Sequence, residues 1–195
     1  MPIDFTFYAY MFEGEPPDRR AYGWLQSPDG TAVSTRARGA LFRAATTMAA
    51  VYRCAGALDA AGDLACERAR LLARFDAGPA LAAFARYCAR TVLARWPAPA
   101  CVHDFVAAGD PALQADAHRA AWEASWELTG AERVAARVAM YATEARALVS
   151  TVREAASLAA RLAGERITQA RQRQERVLAA ELLARTAAQS MACVA

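Results

Sequence analysis

The sequence predicts a mainly α-helical protein, an antiparallel helical bundle with a long C-terminal helix and a small N-terminal β-meander. Three observations support this fold class. Of the 195 residues, 56% are apolar, and many of these are alanines, which favour helix strongly. Most of the ten glycines and eight prolines lie before residue 120, so the second half contains few helix breakers. The aromatic run at residues 3–12 is the one segment whose composition is typical of a strand.

The N-terminal run IDFTFYAYMF predicts a strand whose side chains alternate between two faces. One face is wholly apolar and is expected to pack on the helices; it holds Ile3, Phe5, Phe7, Ala9 and Met11. The other face is expected to be half exposed; it holds Asp4, Thr6, Tyr8, Tyr10 and Phe12. We therefore take Tyr8, Tyr10 and Phe12 as candidate partner-binding residues. Two further short strands are predicted at residues 21–25 and 31–33, around a turn at 27–30.

From Ser34 the apolar spacing changes to threes and fours, which predicts helix. The pattern indicates one helix from Ser34 to about residue 55 and a second over about 58–75. The second helix is expected to turn Leu64, Leu71, Leu72 and Phe75 inward. Further helices are predicted over about 79–96, 99–108 and 111–128, each separated by proline or glycine. The chain is expected to be a single domain, 1–195, with a β-rich segment at 1–34 and a helical bundle at 35–195.

The last predicted helical stretch, residues 131–191, is unusually long. Its apolar positions form a heptad-like stripe, namely Val134, Val138, Tyr141, Ala145, Leu148, Val152, Ala155, Ala159 and Leu162. The stripe shifts after Gly164, which predicts two helices or one helix kinked there. Such a stripe fits either a core within the bundle or the seam of a homo-oligomer.

Composition restricts the classes of function. All 23 basic residues are arginines, so lysine Schiff-base chemistry has no residue to carry it. The net charge of +3 is too small to predict a nucleic-acid or membrane partner. The first residues, MPIDF, lack the basic segment of a signal peptide, and arginines and acids interrupt every apolar run. We expect a cytoplasmic protein.

Motifs for catalysis and metal binding are sparse. Cys101, His103 and Asp104 form the one local cysteine–histidine cluster, and a zinc site would need further ligands from distant positions. There is no Gly-rich phosphate loop, no nucleophile elbow and no paired-histidine zinc motif. We therefore assign no catalytic, cofactor-binding or metal-binding residues, and an enzyme is the less favoured class. A pocket between helices around His103, Asp104, His118 and Trp122 remains an alternative.

Two tryptophans and a histidine form the most distinctive pattern of the helical part. His118, Trp122 and Trp126 follow one another at spacings of four, which places them on one stripe of a helix. Glu123 and Glu127 flank the stripe. It fits either core packing or an exposed aromatic patch that binds a partner. We take His118, Trp122 and Trp126 as candidate partner-binding residues.

The stretch AHRAAWEASWELTGAERVAARVAMYATEARA at 117–147, followed by ERITQARQRQERVLAAELL at 165–183, resembles a group of bacterial immunity proteins. Those proteins are alanine-rich and helical, and they are thought to neutralise a toxin that is encoded beside them. The resemblance covers at most the C-terminal half and assigns no functional residue. It implies a non-enzymatic protein whose partner is another protein, with a toxin as the candidate. A helical enzyme or ligand-binding domain and a self-assembling scaffold subunit are the alternatives.

Overall fold

The computed structural model describes residues 5–12, 23–24, 46–58, 64–144, 149–164 and 166–192. It confirms the predicted class: the protein is mainly helical, with an antiparallel sheet in its N-terminal part and a long C-terminal helix. The chain divides into two compact units. The sheet unit comprises Met1–Ala80 and Glu175–Ala195, and the helical unit comprises Leu81–Gln174.

Four antiparallel strands form the sheet. They are β1 (Phe5–Phe12), β2 (Gly23–Trp24), β3 (Met48–Leu58) and β4 (Leu64–Asp76), in the spatial order β2-β1-β3-β4. The predicted strands at 3–12 and 21–25 are thus confirmed where the structure describes them. The predicted strand at 31–33 and the start of the helix predicted from Ser34 lie outside the described residues.

The two helices predicted up to about residue 55 and over 58–75 are wrong where the structure describes them, because β3 and β4 occupy these positions. Their alanines and leucines favour helix locally. Pairing between distant residues overrides that preference, since β3 pairs with β1 along eight positions, from Phe5↔Gly56 to Phe12↔Ala49. The strands therefore continue to Asp76, well beyond the predicted limit of the β-rich segment at residue 34, and the first described helix begins at Gly78.

One face of the sheet is buried, and it includes two residues of β1 that were expected to lie on a half-exposed face. Tyr10 is 1% exposed and Phe12 is 0% exposed, so the half-exposed face predicted for β1 is wrong at these two positions. The register explains the burial: Tyr10 pairs with Val51 and Phe12 with Ala49, and both partners are buried as well. The prediction for Leu71 and Leu72 is also wrong, because both side chains are exposed.

The interior of the sheet unit combines this face with residues from the C-terminal part of the chain. Its buried side chains include Tyr10, Phe12, Ala49, Val51, Phe75, Leu178, Ala179 and Leu182. The rings of Tyr10 and Phe12 meet edge to face, with centroids 6.0 Å apart. Large side chains therefore provide most of the apolar area buried in this unit.

In the described part of the chain, six α-helices follow the sheet. They are α1 (Gly78–Val92), α2 (Ala100–Ala108), α3 (Pro111–Glu127), α4 (Gly130–Ala142), α5 (Val149–Leu162) and α6 (Ile167–Ala192), with a 3-10 turn at Leu93–Arg95. The predicted helices at 79–96, 99–108 and 111–128 agree with α1, α2 and α3. Asp76 begins α1, because its carboxylate accepts the N–H of Gly78 at 2.9 Å. Gly109 ends α2 at φ +71°, a conformation that favours glycine.

The long stretch predicted at 131–191 divides into three helices. The break near Gly164 is confirmed, since α5 ends at Leu162 and Gly164 adopts φ +71°. A second break, after Ala142, has no equivalent in the predicted pattern. Several stripe residues are buried where α4 packs on α5, namely Val138, Val152, Ala155 and Ala159. These positions of the stripe therefore form a core within one chain.

We predict that Phe12→Ala will lower the free energy of unfolding by about 3–5 kcal/mol, because it removes a fully buried ring. Ile167→Ala is the matched control, since Ile167 is an exposed large apolar side chain in the described part of the chain. Its expected cost is under about 1 kcal/mol. Urea unfolding followed by circular dichroism measures both values. Similar costs for the two variants would show that Phe12 does not occupy the core.

Candidate protein-binding surface

Helix α3 positions the candidate residues of the helical unit. Asp110 is its N-cap: the Asp110 carboxylate accepts the N–H of Ala112 at 2.9 Å, and Pro111 occupies the first helical position. Its inner face consists of small side chains, because Ala117, Ala121 and Ser125 are buried. Helix α3 contacts α2 and α4. A face of such small residues lets neighbouring helices approach closely.

The two tryptophans of α3 lie on its outer side. Trp122 is 49% exposed and Trp126 is 66% exposed, although tryptophan is highly buried on average. Their rings form an edge-to-face pair, with centroids 6.1 Å apart and an interplanar angle of 65°. Core packing, one of the two interpretations of the stripe, is therefore excluded for both tryptophans in this chain. We call Trp122 and Trp126, with the exposed Arg119, Glu123 and Glu127 beside them, the tryptophan patch.

The charge of the tryptophan patch is negative overall. The guanidinium of Arg119 lies 2.6 Å from the carboxylate of Asp116, so the two charges offset one another. Glu123 and Glu127 are exposed beside the rings. Arg133, from α4, donates a hydrogen bond to the carbonyl of Trp126 at 3.1 Å. This contact fixes the C-terminal end of α3 to the start of α4.

His118 belongs to the same stripe in sequence but has a different environment. It is half-buried, and its Nδ1 lies 3.1 Å from the hydroxyl of the buried Thr143. The hydroxyl of Thr143 already donates to the carbonyl of Met140 at 2.7 Å, so its oxygen accepts from His118. His118 therefore donates this hydrogen bond from its Nδ1–H. The histidine thus holds α3 to the end of α4 rather than facing solvent with the tryptophans.

Gln114 and Glu144 complete the polar cluster around Thr143. The side-chain amide of Gln114 donates to the carbonyl of Thr143 at 3.2 Å, one turn before His118. Burial raises the pKa of the Glu144 carboxyl, and the nearby His118 opposes that rise. We call Gln114, His118, Thr143 and Glu144 the Thr143 cluster. In it, the hydrogen bonds of Gln114 and His118 to Thr143 hold α3, which presents the tryptophan patch, to the end of α4.

The other candidate residues do not form a site in the described structure. His103 and Asp104 are exposed on α2, Cys101 is half-buried, and Cys88 is buried, where desolvation raises the pKa of its thiol to about 12. Across the residues that the structure describes, no three histidine, cysteine or acidic side chains are grouped so that they could hold a metal ion. On β1, Tyr10 and Phe12 are buried in the sheet unit, and the side chain of Tyr8 lies outside the description.

No family model, curated protein or solved structure matches this chain. The resemblance to immunity proteins therefore stays a prediction. Within the described ranges, no helix is long and apolar enough to cross a membrane.

We predict that Glu144→Gln will raise the free energy of unfolding at neutral pH. The folded state raises the pKa of this carboxyl above its ordinary value of 4.5, so ionisation costs more in the folded than in the unfolded protein. Below pH 4.5 the carboxyl is protonated in both states and the wild type has no such penalty. As the pH rises through the folded pKa, the wild type loses stability relative to the variant.

Urea unfolding at several pH values measures this difference, with Glu123→Gln on the exposed side of α3 as the control. The increase in the free energy of unfolding caused by Glu144→Gln should be present at pH 7 and absent near pH 3. A variant that is less stable than the wild type at pH 7 would show that His118 determines the energetics of Glu144 and that burial is secondary.

Proposed function

We propose that this chain is a non-enzymatic protein-binding protein of the immunity type, and that the tryptophan patch is its binding surface. The exposed Trp122–Trp126 pair is the observation that carries the proposal. Tryptophan is among the residues most enriched in binding hot spots, because a ring that is desolvated on binding contributes a large apolar area. An exposed edge-to-face pair offers two such rings side by side.

The surroundings of the rings favour a partner with basic side chains. Glu123 and Glu127 lie beside the rings, and Arg119 is offset by Asp116. The flat faces of the indoles also attract cations. A partner that inserts an arginine or lysine between apolar contacts would satisfy both features. Charge complementarity of this kind mainly raises the association rate and the specificity.

The rigidity of the surface supports the same interpretation. The Thr143 cluster and the Arg133–Trp126 contact tie both ends of α3 to α4. A surface that is fixed before binding loses less conformational entropy when the partner arrives. The segment that resembles immunity proteins, 117–147, contains both tryptophans and three of the four residues of the Thr143 cluster, namely His118, Thr143 and Glu144. Its partner would then be a toxin encoded by a neighbouring gene.

The test uses the purified product of the adjacent gene as the partner, titrated with this protein by calorimetry. We predict that Trp122→Ala combined with Trp126→Ala will weaken binding at least about 100-fold, since each hot-spot ring contributes about 2 kcal/mol or more. Glu123→Arg combined with Glu127→Arg should slow association and weaken its salt dependence. Because both tryptophans are exposed, these variants should keep wild-type stability.

Ile167→Ala is the control, because it removes an exposed apolar side chain outside the tryptophan patch. Its affinity should equal that of the wild type. If the gene product binds the double tryptophan variant as tightly as the wild type, the tryptophan patch is not the binding surface. If the gene product does not bind the wild type, the immunity-type function is wrong.

A further inference from the structure

The last strand of the sheet, β4, lies at one edge of the sheet that the described residues form. It is thirteen residues long and pairs with β3 on one side. Along an antiparallel strand about every second residue directs its N–H and C=O away from the paired side. Among the strands that the structure describes, none pairs with these outward groups of β4. Such an edge is a template on which another extended segment can add as a further strand.

Two large apolar side chains are exposed in the middle of this edge strand. Leu71 is 51% exposed and Leu72 is 39% exposed. The pairing shifts between Val51↔Ala73 and Tyr52↔Leu71, so Leu72 is the extra residue of a β-bulge. An exposed pair of leucines on an open strand is an aggregation risk unless another segment covers it. Arg70 and Arg74, both exposed, stand on either side of the leucines.

The charges on this part of the sheet are arranged unfavourably for the isolated chain. Arg53 on β3 pairs directly with Arg70 on β4, and both side chains are exposed. Like charges directly opposite one another destabilise a strand pair. A carboxylate placed between two guanidinium groups offsets this repulsion and forms charge-assisted hydrogen bonds. The pair is therefore suited to receive an acidic side chain from outside the sheet.

A second copy of this chain fits the edge poorly. Two-fold pairing of β4 with itself must be centred on one residue of the strand. Centred on any residue from Arg68 to Arg74 except Ala73, it places an arginine opposite an arginine, because the arginines stand at 68, 70 and 74. Centring on Ala73 avoids this, but it pairs only residues 70–76, about half of the strand. The same arginines that oppose self-pairing attract a strand that carries carboxylates.

We propose that the outer edge of β4 binds an extended, acidic segment of a partner protein by strand addition. Main-chain hydrogen bonds to β4 provide the affinity, and contacts between the side chains of the two strands provide the specificity. Carboxylates of the added strand lie beside Arg70 and attract the long side chain of Arg53 one strand further in, and the apolar side chains of the added strand cover Leu71 and Leu72. This surface differs from the tryptophan patch both in its mode of recognition and in the sign of the charge that it selects, and it does not depend on the proposed function.

The test uses a fluorescein-labelled peptide of about nine residues with alternating glutamate and valine, a length that matches a typical strand. Fluorescence anisotropy at low ionic strength measures its binding to the full chain. Two other peptides serve as controls: one with lysine in place of glutamate, and one with the same side chains but with alternate backbone amides N-methylated. The acidic peptide should bind, and both controls should bind at least about tenfold more weakly, because each lacks one of the two contacts.

Variants of the protein test whether Arg53 and Arg70 contribute to binding of the acidic peptide. Arg70→Glu and Arg53→Glu should each weaken binding of the acidic peptide about tenfold or more and improve binding of the lysine peptide. Arg90→Glu is the matched control, since Arg90 is exposed on α1. It should change the binding of neither the acidic nor the lysine peptide. Circular dichroism confirms that each variant is folded. If Arg70→Glu does not fold, the Arg53→Glu variant and the three peptides decide the question.

Several outcomes would overturn the proposal. They are failure of the wild type to bind the acidic peptide, equal binding of the N-methylated peptide, and equal effects of Arg70→Glu and Arg90→Glu. A stable dimer in light scattering that Leu71→Asp dissociates would show that a second copy covers the edge. Stronger binding of a single-stranded oligonucleotide than of the acidic peptide would show that Arg53 and Arg70 bind nucleic acid.

Discussion

The packing of α3, α4 and α5 depends on alanine. The inner face of α3 is Ala117, Ala121 and Ser125, and the buried faces of α4 and α5 consist mostly of alanines with a few valines. Alanine buries little area per residue, so close approach of the helices must supply the contacts that larger side chains supply elsewhere. An interface of this kind has no room for an indole ring. The tryptophans of α3 therefore lie outside, and their exposure follows from how the helix packs.

The sheet unit is where the sequence misleads. Its interior uses large side chains such as Tyr10, Phe12, Val51 and Phe75. The segments 48–58 and 64–76 are rich in alanine, leucine and arginine, which favour helix in isolation, yet both are strands. Their conformation is decided by pairing with β1 and with one another, across sequence separations that local periodicity does not contain. The alternation of β1 was equally ambiguous, because both of its faces carry aromatic or apolar residues.

The candidate site could be predicted in part. The spacing of His118, Trp122 and Trp126 correctly places them along one side of α3, and Gly164 correctly marks a break between helices. The side of the helix that faces solvent could not be predicted, because the alanines that decide it are only weakly apolar and occur all around the helix. The break after Ala142 was missed for a related reason. At this break Thr143 contacts His118 and Gln114, which come from another helix and leave no local signal.

The central claim is that the tryptophan patch is open to solvent in the free protein and becomes covered by a partner protein. Hydroxyl-radical footprinting with mass spectrometry measures this residue by residue, with the buried Trp96 as the internal reference. In the free protein Trp122 and Trp126 should be oxidised much faster than Trp96, and addition of the neighbouring gene product should protect both. Oxidation of Trp122 and Trp126 at the slow rate of Trp96 in the free protein, or unchanged fast oxidation in the complex, would contradict the account.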